Sequence, residues 1–190
     1  MADSHLPGDH QTDDYLATTT GPQLTDESAL TKVLVRAATD TPAAQQLAAR
    51  FGTSRTDGEV LILGQRPTEW LLVGAAETVA AYVGGLDRSG HVSVIDHTHS
   101  RAMFRLTGAT ATSTLEKVCS LDWSDTMTPN GAVVSASVAK VNCDIVRHDQ
   151  TDELDQGGES VRSYLLACDR SFAQYLFDAV LDASREFGTG

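Results

Sequence analysis

Cysteine is scarce in this 190-residue chain, and its three residues, Cys119, Cys143 and Cys168, lie far apart. No Cys-x-x-Cys pair occurs, and an odd count is a poor basis for a disulfide framework, so we expect buried free thiols. No apolar run approaches the length of a membrane span. Gly-x-Gly-x-x-Gly and Walker patterns are also missing, so the sequence predicts no dinucleotide or nucleotide site.

Basic residues are also few. Lysine and arginine total 14 against 26 acidic residues, which gives a net charge of −12. The basic residues are scattered, so no patch offsets the repulsion from the phosphates of a nucleic acid or an anionic membrane. The charge therefore argues against both of these partners. It favours solubility, or attraction toward a basic partner protein.

The beginning of the chain contains no secretory signal, because its first fifteen residues include Asp, His, Gly and Pro without an apolar core. Together with the unpaired cysteines, this predicts a cytoplasmic protein. Residues 1–26 are polar and acidic without periodicity, which predicts a disordered leader. Residues 27–190 predict one compact domain, and two packed lobes over about 27–90 and 91–190 are the alternative.

Hydrophobic periodicity predicts a mixture of strands and helices. Strands are expected at Leu30–Ala38, Val60–Leu63, Leu71–Val73, Val92–Ile95, Ala102–Leu106, Ala132–Ala139, Val141–His148 and Ser163–Cys168. Helices are expected at Ala43–Phe51, capped by Thr41 or Asp40, at Glu77–Leu86, after a Thr110 cap, and after an Asp169 cap. The expected buried face of the last helix is Phe172, Tyr175, Leu176, Ala179, Val180, Ala183 and Phe187.

This order of elements predicts an α+β fold. It fits two ferredoxin-like units, with antiparallel or mixed sheets and helices packed on them. The acidic, glycine-containing segment Asp149–Ser160 is interpreted as an exposed loop.

The segment from Leu61 to Gly74 reads Leu-Ile-Leu-Gly-Gln-Arg-Pro-Thr-Glu-Trp-Leu-Leu-Val-Gly and predicts a β-hairpin. Its two aliphatic runs flank a turn, because Gly64 tolerates positive φ and Pro67 fixes its own φ. Trp70 begins the return strand, where its large ring suits a half-buried surface. Nothing in this hairpin is a catalytic signature.

Further segments follow in order: Val-Ser-Val-Ile-Asp-His-Thr-His-Ser-Arg-Ala-Met-Phe-Arg-Leu-Thr-Gly at 92–108, Cys-Ser-Leu-Asp at 119–122, and Ala-Lys-Val-Asn-Cys-Asp-Ile-Val-Arg at 139–147. With the Glu-Trp-Leu-Leu hairpin and the segment 164–171, they resemble the gamma subunit of heterotetrameric sarcosine oxidase. That family is a relative of the glycine-cleavage T-protein folate-binding fold. The resemblance covers roughly residues 30–187. Related chains tend to carry Pro-Asp after the glycine of the first segment, where this chain has Ala-Thr.

The resemblance implies a T-protein-like fold and a gamma-type subunit of a complex that oxidatively demethylates an N-methyl amino acid. In that family the one-carbon unit passes to tetrahydrofolate. The partner alpha, beta and delta subunits carry FAD, FMN, NAD, zinc and the tetrahydrofolate site. This chain is then expected to hold no cofactor and to serve assembly, since an acidic surface with apolar edges suits a permanent interface.

Asp144 is the catalytic candidate that the resemblance implies. In T-protein relatives an aspartate in a similar strand lies near the folate and assists aminomethyl transfer. A carboxylate there can orient or protonate an amine if its pKa is suitable. This chain lacks the paired aspartates and the glycine-rich lead-in of those enzymes, which favours a strand-face or ion-pair role.

Arg101, Arg105 and Arg147 lie on predicted strands and are candidates for binding a carboxylate such as a folate tail. Internal ion pairing is the alternative in so acidic a chain. Asp96, His97 and His99 form the best metal-like pattern, but no further ligand at suitable spacing completes a set, so we interpret them as a polar turn.

Two other functions fit the same residues. One is a free-standing folate-dependent aminomethyltransferase or folate-binding protein, in which Asp144 and the arginines act directly. The other is an interaction module outside one-carbon metabolism. Fold resemblance does not separate them, because function is determined by sites.

Overall fold

The computed structural model describes residues 21–151 and 160–188, which form two five-stranded sheets. The N-terminal sheet contains β2 (Thr31–Ala37), β3 (Ser54–Asp57), β4 (Val60–Arg66), β5 (Glu69–Gly74) and β6 (Val92–Asp96). The C-terminal sheet contains β1 (Gln23–Asp26), β7 (Arg101–Thr107), β8 (Val133–Val138), β9 (Val141–Arg147) and β12 (Ser163–Asp169). The helices are α1 (Pro42–Leu47), α2 (Ala76–Gly84), α3 (Ala111–Val118) and α4 (Ala173–Ser184), and 3-10 turns at Arg170–Phe172 and Arg185–Phe187 flank α4.

The two sheets share one topology. Their strand orders are β3-β4-β5-β2-β6 and β8-β9-β12-β7-β1, and every pairing is antiparallel. Each sheet is a ferredoxin-like unit with one added edge strand, β3 or β8. The C-terminal unit takes its last strand, β1, from the beginning of the chain. The predicted α+β fold with duplicated ferredoxin-like units is confirmed.

Side-chain alternation along the strands creates the layers. On β4, Val60 and Ile62 pack toward α1 and α2, whereas Leu61 and Leu63 belong to a second cluster with residues of the other sheet. On β12, Leu165 and Ala167 join that same cluster. The sheets therefore pack face to face. The central strands are buried on both faces, so they appear in the sequence as continuous apolar runs rather than alternating ones.

The helices cover the outer faces of both sheets. α1 and α2 pack on the N-terminal sheet, and α3 and α4 pack on the C-terminal sheet. Thr41 caps α1 as predicted, since its hydroxyl accepts a hydrogen bond from the Ala44 amide at 3.3 Å. The helix ends at Leu47 rather than at Phe51, because Ala48 adopts a left-handed conformation with φ of 50°.

The other two predicted helix caps stand at the expected positions, but the prediction that they cap a helix is wrong. Thr110 precedes α3 and Asp169 precedes the 3-10 turn before α4, but neither side chain makes a capping hydrogen bond. The predicted buried face of α4 is also partly wrong. Leu176 and Val180 are buried, whereas Phe172 and Tyr175 are exposed, because the stripe that contacts the sheet is narrower than the apolar pattern.

The remaining differences between the predicted and the observed secondary structure are short strands. Gln23–Asp26 forms β1 against β7, although the sequence placed it in the leader, and residues 1–20 lie outside the described residues. Ser54–Asp57 forms the unpredicted strand β3. Within the predicted loop at 149–160, β10 (Gln150–Thr151) pairs with β11 (Ser160–Val161), and residues 152–159 are not described.

The predicted hairpin is present as β4 and β5, with its turn at Pro67 and Thr68. Gly64 lies inside β4 rather than in the turn. A Cβ atom there would approach the Arg50 carbonyl oxygen to 2.1 Å, so only glycine allows this approach. Trp70 is fully buried rather than half-buried, and its indole N–H donates to the Ala49 carbonyl at 2.8 Å.

No helix within residues 21–151 and 160–188 has the length and apolar character needed to cross a membrane.

Candidate functional site

The layer between the sheets ends in four polar side chains, which we name the inter-sheet polar cluster: Gln65, Arg101, Ser135 and Asp144. Asp144 lies two residues from Val146 on β9, and Arg101 lies two residues from Met103 on β7. Since side chains alternate along a strand, both face the other sheet. Gln65 reaches the cluster from β4, where the register shifts between Gly64 and Arg66.

Asp144 is the centre of this cluster. Its Oδ2 accepts hydrogen bonds from Arg101 Nη2 at 2.7 Å and from Gln65 Nε2 at 3.0 Å. Its Oδ1 accepts from the Ser135 hydroxyl at 2.6 Å. Arg101 also donates to the Ala167 carbonyl at 3.2 Å. The carboxylate on β9 therefore links β7 and β8 of its own sheet to β4 of the other sheet, and both of its oxygens are already hydrogen-bonded.

A cleft of about 1070 Å³ opens beside the cluster, and Gln65 and Ser135 form part of its wall. The segments 52–54 and 129–135 provide most of the remaining wall. The two sheets meet here, where Thr53 and Ala132 form an antiparallel bridge. Phe51 and Met127 line the cleft with 65% and 63% of their surface exposed. We refer to this feature as the edge cleft.

Arg105 lies away from the edge cleft and is bound by a carboxylate of this chain. Its guanidinium forms a two-point ion pair with Glu27, which follows β1, and its Nη1 donates to the Ser163 hydroxyl at 3.2 Å. Both groups are largely buried. Arg105 therefore attaches the segment after β1 to the C-terminal sheet.

Arg147 is also internally paired. It donates from Nη2 to Asp149 at 2.9 Å and from Nη1 to the Thr128 carbonyl at 2.8 Å, and it contacts Asp125. The hydrogen bond with Asp149 raises the pKa of the guanidinium well above its usual value. The structure thus places the three candidate arginines on one sheet but in separate ion pairs, and it does not bring them together into one site.

Asp96 is the last residue of β6, and His97 and His99 lie in the connection that carries the chain from β6 to β7, from one sheet to the other. Asp96 accepts a hydrogen bond from the Thr98 amide at 2.7 Å. Hydrogen bonding by the Thr98 side chain, and secondarily by this amide, lowers the pKa of the Asp96 carboxyl. His97 Nδ1 lies 2.8 Å from the Ser100 hydroxyl. Across the described part of the chain, no group of three or more potential metal ligands lies close together.

Lys32 is a buried charged residue that sequence reasoning missed. Its ammonium donates to the carbonyls of Ser28 and Leu30 at 2.9 and 2.6 Å, in the segment that joins β1 to β2. Burial lowers the pKa of this amine. Lys32 lies on the same face of its strand as Leu34 and Arg36, and nothing in the sequence signals that the position of Lys32 is covered. All three cysteines are free and buried, as predicted, and burial raises the pKa of Cys143 to about 12.

Comparison with known proteins gives a match over most of the chain. The model of the family described as "Sarcosine oxidase, gamma subunit family" matches residues 37–186. No curated protein matches the sequence significantly.

Two solved structures are similar in fold. A chain of the heterotetrameric sarcosine oxidase from Corynebacterium sp. U-96, in complex with pyrrole 2-carboxylate, has a TM-score of 0.72 and 20% identity. The match covers 92% of this chain and 89% of that one. Aminomethyltransferase T of the glycine cleavage system from Bartonella henselae has a TM-score of 0.65 and 17% identity, covering 88% of this chain and 47% of that one. This chain therefore spans about half the length of that aminomethyltransferase.

Proposed function

This chain belongs to the sarcosine oxidase gamma subunit family, and we propose that it is the gamma-type subunit of a heterotetrameric oxidase complex. The complex oxidatively demethylates an N-methyl amino acid and passes the one-carbon unit to tetrahydrofolate. This chain contributes mainly to assembly, with alpha, beta and delta subunits as its partners in the cytoplasm. FAD, FMN, NAD, zinc and tetrahydrofolate are bound by those partners.

The state of Asp144 supports the assembly role over catalysis in this chain. A general acid or base needs a free position from which to reach the proton that it transfers. Here Arg101, Gln65 and Ser135 occupy both carboxylate oxygens at 2.6–3.0 Å. The geometry is that of a structural ion pair within the C-terminal sheet, which a hydrogen bond from Gln65 links to the other sheet.

The arginines also support an assembly role, because they are not free to bind folate. Binding a folate tail would require a guanidinium with free donors. Arg105 is bound to Glu27, and Arg147 is bound to Asp125 and Asp149. These residues do not fit a folate carboxylate unless the internal ion pairs break.

Co-purification tests the proposal directly. The full chain, tagged and expressed with the subunits of its own complex, is expected to elute with larger yellow chains that contain flavin. The chain expressed alone is expected to be colourless and to carry no stoichiometric zinc. A full-length chain that elutes alone under native conditions, or that itself holds stoichiometric flavin or zinc, would contradict the proposal.

Asp144→Asn separates a subunit from a free-standing aminomethyltransferase. In the assembled complex we expect the demethylation rate to stay within a few-fold of wild type. Removal of a general acid–base group would instead lower turnover by about 10²–10⁴-fold. Ser135→Ala is the matched control, because it removes one hydrogen bond to the same carboxylate and leaves the carboxylate in place. Sedimentation of both variant complexes verifies that assembly is intact.

A further inference from the structure

The edge cleft has an apolar surface that the chain itself leaves open. Phe51 and Met127 are the two most exposed large hydrophobic residues among those described, and both line this cleft. They come from different parts of the chain, one after α1 and the other before β8. Two exposed apolar side chains that converge on one concavity are typical of a binding surface.

The wall of the edge cleft also includes an open strand edge. β8 pairs with β9 on one side, and on the other side the Val133 amide donates to the Gly52 carbonyl at 2.9 Å. Because backbone groups alternate in direction along a strand, the amides and carbonyls of Ser135 and Ser137 point the same way as those of Val133. Within the described residues, no strand pairs with β8 on that side beyond the Thr53–Ala132 bridge.

The charge of the edge cleft differs from that of the whole chain. The described residues that line it include Arg66 and no aspartate or glutamate, although the chain has a net charge of −12. Arg66 shares the carboxylate of Glu69 with Arg36, at 2.6 and 2.9 Å, so two guanidinium groups face one carboxylate. At this part of the rim the two guanidinium groups outnumber the carboxylate that they share, which is complementary to a carboxylate on an incoming segment.

We propose that the edge cleft receives an extended segment of a partner subunit, which pairs with β8 as an added strand. Apolar side chains of the segment pack against Phe51 and Met127, and a carboxylate of the segment meets Arg66. Backbone hydrogen bonds to Ser135 and Ser137 provide the affinity, as in other cases of strand addition. The inference rests on the proposed function, because it assigns the surface by which this subunit enters its complex.

The test uses the tagged full chain expressed with the subunits of its complex. The double variant Phe51→Ser/Met127→Ser is expected to reduce the recovery of the flavin-containing chains at least about tenfold, the loss typical of interface anchors. Arg66→Glu is expected to reduce it as well. Phe172→Ser is the matched control, because Phe172 is 50% exposed beside α4 and lies outside the edge cleft. It is expected to leave recovery unchanged.

Two further measurements address strand addition itself. Ser137→Pro removes one outward amide from an edge strand, where proline is tolerated, and is expected to weaken recovery, whereas Ser137→Ala is expected to leave it unchanged. Amide hydrogen exchange at Ser135 and Ser137 is expected to slow in the complex. Thermal unfolding of each isolated variant verifies that it is folded.

The outcomes separate the inference from the proposed function. If the wild-type chain recovers its partners and the double variant recovers them equally well, the edge cleft is not the interface and the proposed function stands. If the wild-type chain recovers no partner, both are overturned. If the double variant instead changes the self-association of the isolated chain, the occupant is a second copy and the inference is wrong.

Discussion

The two sheets share a topology but differ in how they use charge. In the N-terminal sheet the ion pairs lie at the surface, as Arg36 with Glu69 and Arg55 with Asp57. In the C-terminal sheet three pairs are largely buried: Arg101 with Asp144, Arg105 with Glu27, and Arg147 with Asp149. Arg147 and Asp149 each expose only 7% of their side chains. The first unit buries one charge, the Lys32 ammonium, but does so without an ion pair. A ferredoxin-like unit therefore does not require a buried ion pair, so the buried pairs of the second unit must serve something that the first unit lacks.

Two of the buried ion pairs of the second unit attach the segments that precede or follow its strands to the sheet. The C-terminal sheet receives β1 from the beginning of the chain, and Arg105 binds Glu27 directly after that strand. Arg147 binds Asp149 after β9 and Asp125 in the segment before β8. The N-terminal unit is continuous in sequence from β2 to β6, and its buried anchor is a single ammonium, that of Lys32, which binds backbone carbonyls of the segment before β2 rather than a carboxylate. The arginines that resemble ligand-binding residues in sequence thus have a structural explanation specific to one sheet.

The largest expected effect is on the N-terminal sheet, which depends on apolar packing. Trp70→Ala is expected to lower the free energy of unfolding by about 3–5 kcal/mol, because it removes a large buried side chain from the outer core. Urea unfolding followed by circular dichroism measures this. A loss below about 1 kcal/mol would show that the ring does not support the sheet. The N-terminal sheet would then not be distinguished from the C-terminal sheet by its dependence on apolar packing.

The next effect concerns the charges of the C-terminal sheet. Arg147→Ala is expected to destabilise the protein by about 3 kcal/mol, because it leaves the buried Asp149 carboxylate without its partner. The matched variant in the N-terminal sheet, Arg36→Ala, is expected to cost less than about 1 kcal/mol, because its side chain is 53% exposed. Chemical denaturation of both variants makes the comparison. Equal losses would mean that the two sheets do not differ in their use of charge.

Most of the fold was predictable from the sequence, because the central strands carry signals of their own. The β4–β5 hairpin has two aliphatic runs around a proline turn, and its residues are buried on both faces. β1 and β3 were missed because their polar sequences, Gln-Leu-Thr-Asp and Ser-Arg-Thr-Asp, become strands only through a neighbouring strand. The face of α4 was misjudged because neither exposed aromatic, Phe172 nor Tyr175, can be told from a buried one by spacing alone.

The candidate site was less predictable, because its partners are distant in the chain. Asp144 was singled out from sequence, but Gln65 is 79 residues away and Arg101 is 43 residues away. Pairings over such distances are determined by sheet packing and leave no local pattern. The edge cleft was missed for the same reason, since Phe51 was assigned to the end of a helix and Met127 to a connection.

A smaller effect is expected from the two tryptophans, one in the core of each unit. Trp70 donates a hydrogen bond to Ala49, whereas the buried indole N–H of Trp123 has no partner within the described residues. Trp70→Phe is therefore expected to cost about 1–2 kcal/mol more than Trp123→Phe, because it leaves a carbonyl unpaired. Phenylalanine at position 123 can keep the edge contact with Tyr164. Thermal unfolding of both variants decides this, and a larger loss at Trp123 would contradict it.

The smallest effect is the pH dependence that His148 gives to the C-terminal sheet. Burial, and secondarily the charge of Arg105, lower the pKa of its imidazole below the usual 6.5, while Asp149 and Glu27 oppose the shift. The unfolded chain therefore takes up the proton first as the pH falls. The stabilisation is fully present above about pH 6.5 and is lost on acidification through the lowered pKa.

His148→Gln removes this titration, so the difference in stability between pH 8 and pH 5.5 is expected to be smaller in the variant than in wild type. Carboxylates elsewhere also lose their charge in acid and change the stability of both proteins. The test therefore compares the pH dependence of stability in the variant with that in wild type, rather than using either protein alone. Urea unfolding at the two pH values measures it. If the variant loses as much stability as wild type, or more, between pH 8 and pH 5.5, the imidazole accepts its proton in the folded protein without cost. The surroundings of His148 would then be open to water, and the burial of charged groups in the C-terminal sheet would not extend beyond the end of β9.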